Sequence, residues 1–432
     1  MVREILEVST QPQEVEIFKR AFETLDFYKS PWGELNASSR EGEFPGDFGR
    51  DQAYFGLEII DTYRHLPLDY FTSESNRILN YLASHQKNGE IYHEHWVFYP
   101  GLEEKKKKFS EIGREIQEKG PSGYPELVYY GAKDSTPLFL ILADEYLRVT
   151  KDFNLFSKLE PNIRSALEYL NRTLYLTAPP GFPAGWMDAA DACEDQDGTV
   201  PQEELALCEN QDLKFAANIR WAQRLIAMDI DPVFGRELLE EAQRLKEAFN
   251  RDFWMAEEGY IAQAIDQSGR QRGDMVITGA ETLFGGIVNE SYAPYVVSRV
   301  LQSDLWTPWG IRTRSSLSPN FDQSQKYQGG KIWVAPGNWK VEQGLKRYGF
   351  VKEADELSTN ALRIFAFFGD FPENVAYVDG TDHPTMQGQS NHYQLWDNGA
   401  AMSLIVPGLG DQEKRFLINS LSQEEKTVPL VA

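Results

Sequence analysis

The sequence predicts an all-α chain folded as an (α/α)6 barrel, six helical hairpins closed in a ring with an inner and an outer layer of helices. Two observations carry this. Apolar residues recur with helical spacing in twelve runs, whereas alternating strand patterns are short and few. The connections alternate between a few residues and roughly 20 to 45. Successive antiparallel helices put every second connection at the same end, so all six long loops meet on one face, where a pocket is expected. An open solenoid has the same helix count, but its repeats resemble one another and these do not.

In order, the runs are 13–29, 50–65, 73–87, 134–150, 155–175, 209–228, 233–252, 277–287, 291–302, 332–348, 350–368 and 392–405. Pro161 and Pro232 lie near helix starts, Asp134-Ser135-Thr136-Pro137 enters the fourth run, and Gly349 separates two runs. No Gly/Ser- or Pro-rich linker divides the chain, so residues 1–432 are read as one barrel domain with a peripheral polar tail after about 410. The patch Glu103-Glu104-Lys105-Lys106-Lys107-Lys108, inside the 88–133 loop, reads as a solvated surface run; a mobile lid is the sharper alternative.

Composition narrows the function classes. A net charge of −23 argues against nucleic acid and anionic membranes as partners, and no run of 18 apolar residues provides a membrane span. The N-terminal stretch has no apolar core followed by a small-residue cleavage site, so a cytoplasmic location is expected. Cys193 and Cys208 are expected as reduced thiols, and with six histidines at these spacings no metal or other cofactor is expected. A neutral small molecule fits. Aromatics make up 13% of the chain and sit largely in loop-like stretches, which points to a ring-stacking pocket, with a large aromatic core as the alternative. The oligomeric state is left open.

The third long loop opens with Gly185-Trp186-Met187-Asp188 and carries Asp188, Asp191, Glu194, Asp195, Asp197, Glu203, Glu204 and Glu209 before the first cation, Lys214. An indole face beside a carboxyl group suits a sugar ring, giving its C–H surface an apolar platform and its leaving oxygen a proton donor. Other candidate stretches fall in the remaining long loops. GDFGRD closes the first, GEIYHE opens the second and YYGAKDSTP closes it, GIRT lies in the fifth, and FPENVAYVDG in the sixth. All map to one end of the predicted barrel, whereas scattered surface charge would fall on both.

On these residues the chain resembles the (α/α)6-barrel glycoside hydrolases that include the amylo-α-1,6-glucosidase (glycogen-debranching) domain and the mannosylglycerate and glucosylglycerate hydrolases. GRDQAYF is similar to the family's GRDT stretch, GEIYHE to GxIPHE, YYGAKDSTPLF to YYGxxDATPLF, and GWMDAAD to GWKDS or SGMDNS. CENQ, FPENVAYVDG and KYQGGKIWVAPGNW followed by GLKRYGF resemble E-x-Q, PELFxG and YHxGSVWPxxN followed by GLxRYGF. The resemblance runs from about 45 to 405; Gln328, Lys331 and Ile332 depart from the family's His, Ser and Val.

The resemblance implies an inverting, exo-acting glycosidase, most simply an α-glucosidase, with a small-molecule sugar as its partner. By motif, Asp188 is the general acid and Glu373 the general base, the two carboxyls that glycoside hydrolysis needs. Arg50 and Asp51 would hold hydroxyls at the non-reducing end, Asp134 would do so from the other side, and Trp186 and Trp333 would be platforms. Glu209, Gln211 and Gln394 would be polar lining, with Tyr92, His93, Glu94, Tyr130, Arg312, Gln328, Asn338 and Trp396 completing the candidate set. From the residues alone, Asp191 or Asp195 is an alternative acid, and Glu94 an alternative base. Arg50 with Asp51 or Asp47 is an alternative structural ion pair, and His93 and His95 are either bases or loop hydrogen-bonders. A sugar epimerase, an unsaturated-uronide hydrolase and a non-catalytic carbohydrate-binding protein are the competing functions.

Overall fold

The computed structural model describes residues 12–30, 35–39, 42–179, 185–188, 192–194, 198–272, 274–387 and 390–424. Among them are fourteen α-helices. They are α1 Gln13–Glu23, α2 Gly49–His65, α3 Asp69–Ser84, α4 Glu103–Glu111, α5 Ser135–Thr150, α6 Phe153–Leu170 and α7 Cys208–Ala227; then α8 Pro232–Asp252, α9 Thr278–Glu281, α10 Ala293–Val300, α11 Trp339–Arg347, α12 Val351–Phe368, α13 Leu395–Ile405 and α14 Asp411–Glu424.

Two kinds of helix make the two layers. α5, α7 and α13 are buried on nearly every face, α5 without a break from Ser135 to Asp144 and α13 along its whole length. A helix apolar all round belongs inside. α8 instead buries one stripe, Gly235, Leu238, Ala242, Leu245 and Phe249, and turns charge outward. The inner helices pack in the order α2, α5, α7, α9 and α11; the turn Val334–Asn338 that leads into α11 packs on α13, and α13 returns to α2 to close the ring. Outside, α3, α6, α8, α10 and α12 each pack on the inner helix that precedes them, while α1 packs on α13. This is an (α/α)6 barrel.

The α1–α13 seam is polar as well as apolar. Asn398 donates to the Ala21 carbonyl at 2.7 Å and to Thr24 Oγ1 at 2.6 Å, and accepts from the Tyr28 hydroxyl at 2.5 Å. At the α2–α13 seam Gly399 is required by close approach: a Cβ there would lie 2.9 Å from a Phe55 ring carbon and 3.0 Å from Glu58 Cβ.

Since each long loop leads into an inner helix, the inner N-termini all face the loop end. Short strands tie the loops together there. β1 Asp47–Phe48, β2 Glu94–Val97 and β3 Glu126–Tyr129 form one antiparallel sheet, with Phe48 opposite Glu94 and Glu94 opposite Tyr129. A second sheet runs β4 Thr177–Ala178, β5 Leu205–Leu207, β8 Ala264–Asp266 and β9 Gln271–Arg272. Two hairpins, β6 Trp254–Met255 with β7 Tyr260–Ile261 and β10 Trp306–Thr307 with β11 Gly310–Ile311, complete the strands among the described residues.

Four expectations change. The 277–287 run is helical only over Thr278–Glu281, because the buried Asp212 carboxylate takes the Gly285 and Ile287 N–H groups at 2.6 and 3.2 Å and holds the chain in turns. The Glu103–Lys108 patch is α4, a solvated helix with no buried residue, on which Lys105 sits 5.8 Å over the Trp96 ring. Pro161 lies inside α6 rather than near its start. The chain after 410 is helical, since Leu417 and Leu421, one turn apart, are both buried. Cys193 and Cys208 are buried and unbridged, and no described helix is long and apolar enough to cross a membrane.

Gly399→Ala is expected to lower stability by about 1–3 kcal/mol through overpacking at the seam that closes the ring. A lower urea midpoint with an unchanged m-value checks this; an unchanged midpoint means the seam yields without cost.

Candidate active site

The mouth is assembled around one guanidinium. Phe48 is extended and Gly49 starts α2, a position where a Cβ would lie 2.2 Å from the Tyr92 carbonyl oxygen, so only glycine lets the second loop pass. The next residue, Arg50, is 3% exposed and donates three ways: Nε to Asp134 Oδ2 at 2.5 Å, Nη1 to Asp188 Oδ2 at 2.8 Å, and Nη2 to the Gly185 carbonyl at 2.7 Å. A buried charge needs such partners. Arg50 therefore joins the second and third long loops to α2, and its ion pairs are with Asp134 and Asp188 rather than with Asp51 or Asp47.

Three carboxyls face one narrow cavity, Asp188 and Glu373 from different loops and Asp51 from α2. It is lined by Phe44, Phe48, Arg50, Asp51, Trp186, Asp188, Tyr327, Gln328, Trp333, Glu373, Gln394 and Trp396, with Ala37 at its edge, and encloses about 70 Å³. The Asp188 side chain is 25% exposed, against 4% for Arg50 and none for Asp134. Burial pushes the Asp188 carboxyl above the ordinary range, while Arg50 opposes the shift. Glu373 is 2% exposed and held on both oxygens: Oε1 accepts from the Tyr327 hydroxyl, and Oε2 from the backbone and side-chain amides of Asn391 at 3.2 and 3.0 Å. Burial still pushes its pKa up to about 7. Asp51 accepts from Gln394 Nε2 at 3.0 Å, and burial raises its pKa well above the usual range against the pull of Arg50.

The aromatic wall is continuous. Trp186 and Trp333 have ring centroids 5.4 Å apart, Trp333 and Trp396 6.1 Å, and Tyr327 meets Trp333 edge-on at 5.1 Å. Trp333 Nε1 is buried without a hydrogen-bond partner among the described residues, and so are both ring nitrogens of His93. His93 Nε2 lies 3.7 Å from Asp188 Oδ2. Burial, helped by Arg50, lowers the His93 pKa well below the ordinary value, so the ring is neutral at pH 7. Unsatisfied donors beside a cavity are what a hydroxyl-bearing ligand would satisfy.

Behind this wall lies a second buried charge group. Trp186 Nε1 donates to both Glu281 oxygens, at 3.0 and 2.8 Å; Glu281 pairs with Lys340, and Lys340 lies 3.2 Å from Glu209. All three charged residues are at most 3% exposed. Burial drives the Glu209 pKa up to about 8 with Lys340 opposing, while Glu281 and Tyr54 help keep Lys340 charged. One cation thus faces two carboxyls, and burial raises the pKa of both. Gly185 is obligatory beside this group, because a Cβ there would lie 1.8 Å from Glu209 Oε1.

The cavity brings together Arg50, Asp51, Trp186, Asp188, Gln328, Trp333, Glu373, Gln394 and Trp396 of the predicted set. His93 borders it through Asp188, and Glu94 stands 3.7 Å from His93 while accepting from Trp96 Nε1 at 2.8 Å. Asp134 and Glu209 sit one layer back. None of these four lines the cavity itself, and five further predicted residues bond elsewhere. Tyr92 donates to Asp47 Oδ1 at 2.6 Å and Tyr130 to the His85 carbonyl at 2.6 Å. Gln211 exchanges hydrogen bonds with the Leu176 backbone, and Asn338 bridges both backbone groups of Ile311. Arg312 pairs with Asp379. Asp191 and Asp195, the alternative acids, lie outside the described residues.

Tyr327, Asn391, Glu281 and Lys340 escape the sequence reading. Tyr327 stands inside the KYQGG motif next to Gln328, and Lys340 is the one cation in the largely apolar run IWVAPGNWKV. Asn391 and Glu281 carry no such signal. Among the described residues, no group of three or more His, Cys, Asp or Glu is placed to hold a metal.

Residues 126–334, just under half of the chain, match the family model described as amylo-alpha-1,6-glucosidase. Among solved structures, the chain is similar to the GH63 mannosylglycerate hydrolase of Thermus thermophilus in complex with Tris. The two share 16% identity over 90% of this chain and 99% of that one, with a TM-score of 0.65. A glycosidase variant in complex with glucose matches at 12% identity over 92% and 98%, TM-score 0.60. A rhamnosidase from Klebsiella oxytoca with rhamnose bound matches at 13% over 93% and 65%, TM-score 0.58. At these identities the likeness is one of fold; the family match carries the reaction class.

Two outcomes follow from the buried charge. Lys340→Met strands two carboxyls in the interior and is expected to cost about 3–5 kcal/mol, read as a lower denaturant midpoint. Glu373 has a folded pKa of about 7 against roughly 4.3 unfolded, so its contribution is fully present below about pH 4 and is lost as pH rises through 7. Thermal stability should therefore decline over that window, and less steeply in Glu373→Gln. An equal slope in both proteins would remove Glu373 as the source.

Proposed function

We propose that this chain, a glycoside hydrolase of the (α/α)6-barrel kind, is an inverting, exo-acting α-glucosidase that removes the terminal sugar of a small α-glucoside or of a glucan end. The observation that carries the reading is the pair of carboxyls on one narrow, aromatic-walled cavity, set in different surroundings. Asp188, partly open and raised by burial, acts as general acid on the leaving oxygen. Glu373, clamped by Tyr327 and Asn391, acts as general base on water. Asp51, Gln394 and Arg50 hold sugar hydroxyls, while Trp186, Trp333 and Trp396 take the ring's apolar surface. Exo action is what the family resemblance implies.

Among the described residues His93 is the one histidine at the cavity, and the lining includes one arginine, already paired with two carboxylates. A histidine-dependent epimerase and an enzyme selecting an anionic uronide both fit this lining less well. The proposal covers a single catalytic barrel acting in the cytoplasm without a metal or other cofactor; the two buried thiols agree with a reducing compartment. The inverting outcome rests on the family resemblance and on the requirement that a water sit between base and sugar.

Asp188→Asn is expected to lower kcat by roughly 10²–10⁴-fold on alkyl glucosides and disaccharides, and much less on p-nitrophenyl α-glucoside, whose leaving group needs little protonation. Equal losses on both substrate types would show that Asp188 is not the acid. Proton NMR in the first minutes of hydrolysis is expected to show the β-anomer before mutarotation. The α-anomer appearing first would make Glu373 a nucleophile or remove it from the reaction.

A further inference from the structure

The end of the barrel opposite the catalytic cavity carries charge of the sign contrary to that of the chain as a whole. A groove there encloses about 560 Å³ between the C-terminal halves of α5 and α7, the turn at Gly285-Gly286 and the last residue of α11. That is within the roughly 300–1,000 Å³ of small-molecule sites. Arg148, Arg220, Arg224 and Arg347 line it against a single carboxylate, Asp144.

Asp144 and its neighbour Glu145 absorb only part of this charge. Asp144 takes Arg224 at 2.6 Å, and Arg220 lies 3.6 Å from it. Glu145 pairs with Arg220, Arg64 and Arg148; burial would raise its pKa, yet these guanidinium groups bring it down to about 2. Arg347 is left with no ion pair or hydrogen bond among the described residues. Lys246 reaches the same place from α8. Its ammonium stands 5.3 Å over the ring of Phe215 in the groove wall and donates to the Gly286 carbonyl at 2.8 Å, again with no carboxylate partner among the described residues. The two cations meet at that turn, since a Cβ on Gly286 would lie 3.4 Å from Arg347 Cδ. Asp212, buried behind the turn, spends its oxygens on the Gly285 and Ile287 N–H groups.

Cations in the last turn of a helix suit its dipole, which accounts for Arg148, Arg224 and Arg347. It does not account for Arg220, about two turns before the end of α7, or for Lys246 inside α8. Burial lowers the pKa of Arg347 and Lys246, with Arg220 adding to the shift at the first and Arg347 to that at the second. Cations so placed repel one another, and an anion lying between them would turn that repulsion into attraction.

We propose that this groove binds the phosphate group of a small phosphorylated molecule, with Arg347 and Lys246 as its principal donors and Arg220 beside them. A guanidinium fork matches phosphate oxygens, and an ammonium adds a point charge. Phe215 and Ile219 offer an apolar wall to the rest of the molecule. A nucleic acid is disfavoured, because its many further charges would meet a chain of net charge −23. The groove lies away from the reacting carboxyls, so this site stands or falls apart from the glycosidase reading.

The test titrates the full chain at low salt with inorganic phosphate, glucose 6-phosphate and ATP, with glucose as neutral control and heparin as a long polyanion. At least one of the three phosphates is expected to bind, more weakly as salt is raised, and the tightest of them identifies the source of the phosphate. Arg347→Gln and Lys246→Gln are each expected to weaken that binding about ten-fold, whereas Arg347→Lys, which keeps the charge, recovers part of it. Arg347 is exposed, so its replacement leaves the fold intact, and hydrolysis of p-nitrophenyl α-glucoside is expected to be unchanged in all three variants. Failure of every phosphate to bind would overturn the proposal, as would binding indifferent to both substitutions. Phosphate binding that glucose displaces would belong to the catalytic cavity and overturn it too, and so would binding of heparin alone. A chain inactive on every glycoside yet binding phosphate in an Arg347-dependent way would sink the glycosidase reading and leave this site standing.

Discussion

The structure depends on burying one guanidinium at the mouth of the ring. Arg50 sits at the first turn of an inner helix and gives its donors to two carboxylates and a carbonyl from two other loops. Removing any one partner leaves a buried guanidinium short of compensation, which is costly in a way that a lost surface pair is not. The arrangement is therefore specified in three dimensions: the second and third loops must arrive with Asp134, Asp188 and the Gly185 carbonyl at their stations for α2 to start where it does. The glycines at 49 and 185 are the steric side of the same constraint, because a side chain would strike the second loop at Tyr92 in the first case and Glu209 of α7 in the second.

Behind the mouth, Glu209, Lys340 and Glu281 repeat the principle one layer deeper. Two carboxyls share one buried cation, and burial raises the pKa of both against its pull. Glu281 receives the Trp186 indole N–H on both of its oxygens, two residues before Asp188. The position of the candidate acid is thus set by Arg50 in front and by the Trp186 anchor behind. Inner-helix N-termini at the same end add backbone dipoles oriented to favour negative charge. Carboxyls gathered here are stabilised by the architecture yet desolvated by the packing, and that competition raises the pKa of Glu373 and Asp188 without neutralising the site.

The outer layer contributes by contrast. α8 shows it most plainly, burying one stripe and presenting charged residues of both signs to water. At the rim the first and sixth loops are joined by Asn391, whose side-chain oxygen accepts from the Glu43 N–H while its amides hold Glu373. One asparagine there links the orientation of Glu373 to the position of the first loop.

The sequence by itself determined the barrel. Periodicity distinguishes helices apolar all round from helices with one stripe, and alternating loop lengths place every functional stretch at one end; both are local properties that survive without coordinates. It also determined the two carboxyl motifs and much of the lining, since Arg50, Trp186, Asp188, Trp333 and Glu373 stand in recognisable strings. Only the tertiary structure decided which polar residues face the cavity. Gln211, Asn338 and Arg312 belong to the same motifs, but they satisfy backbone groups or a distant carboxylate, and that choice depends on partners far away in the chain. The shortening of the 277–287 run has the same cause, an aspartate some 70 residues earlier that captures two backbone N–H groups. Lys340, Glu281 and Asn391 gain their meaning from neighbours at sequence separations that no local pattern records, because desolvation and hydrogen bonding act through space while periodicity acts along the chain.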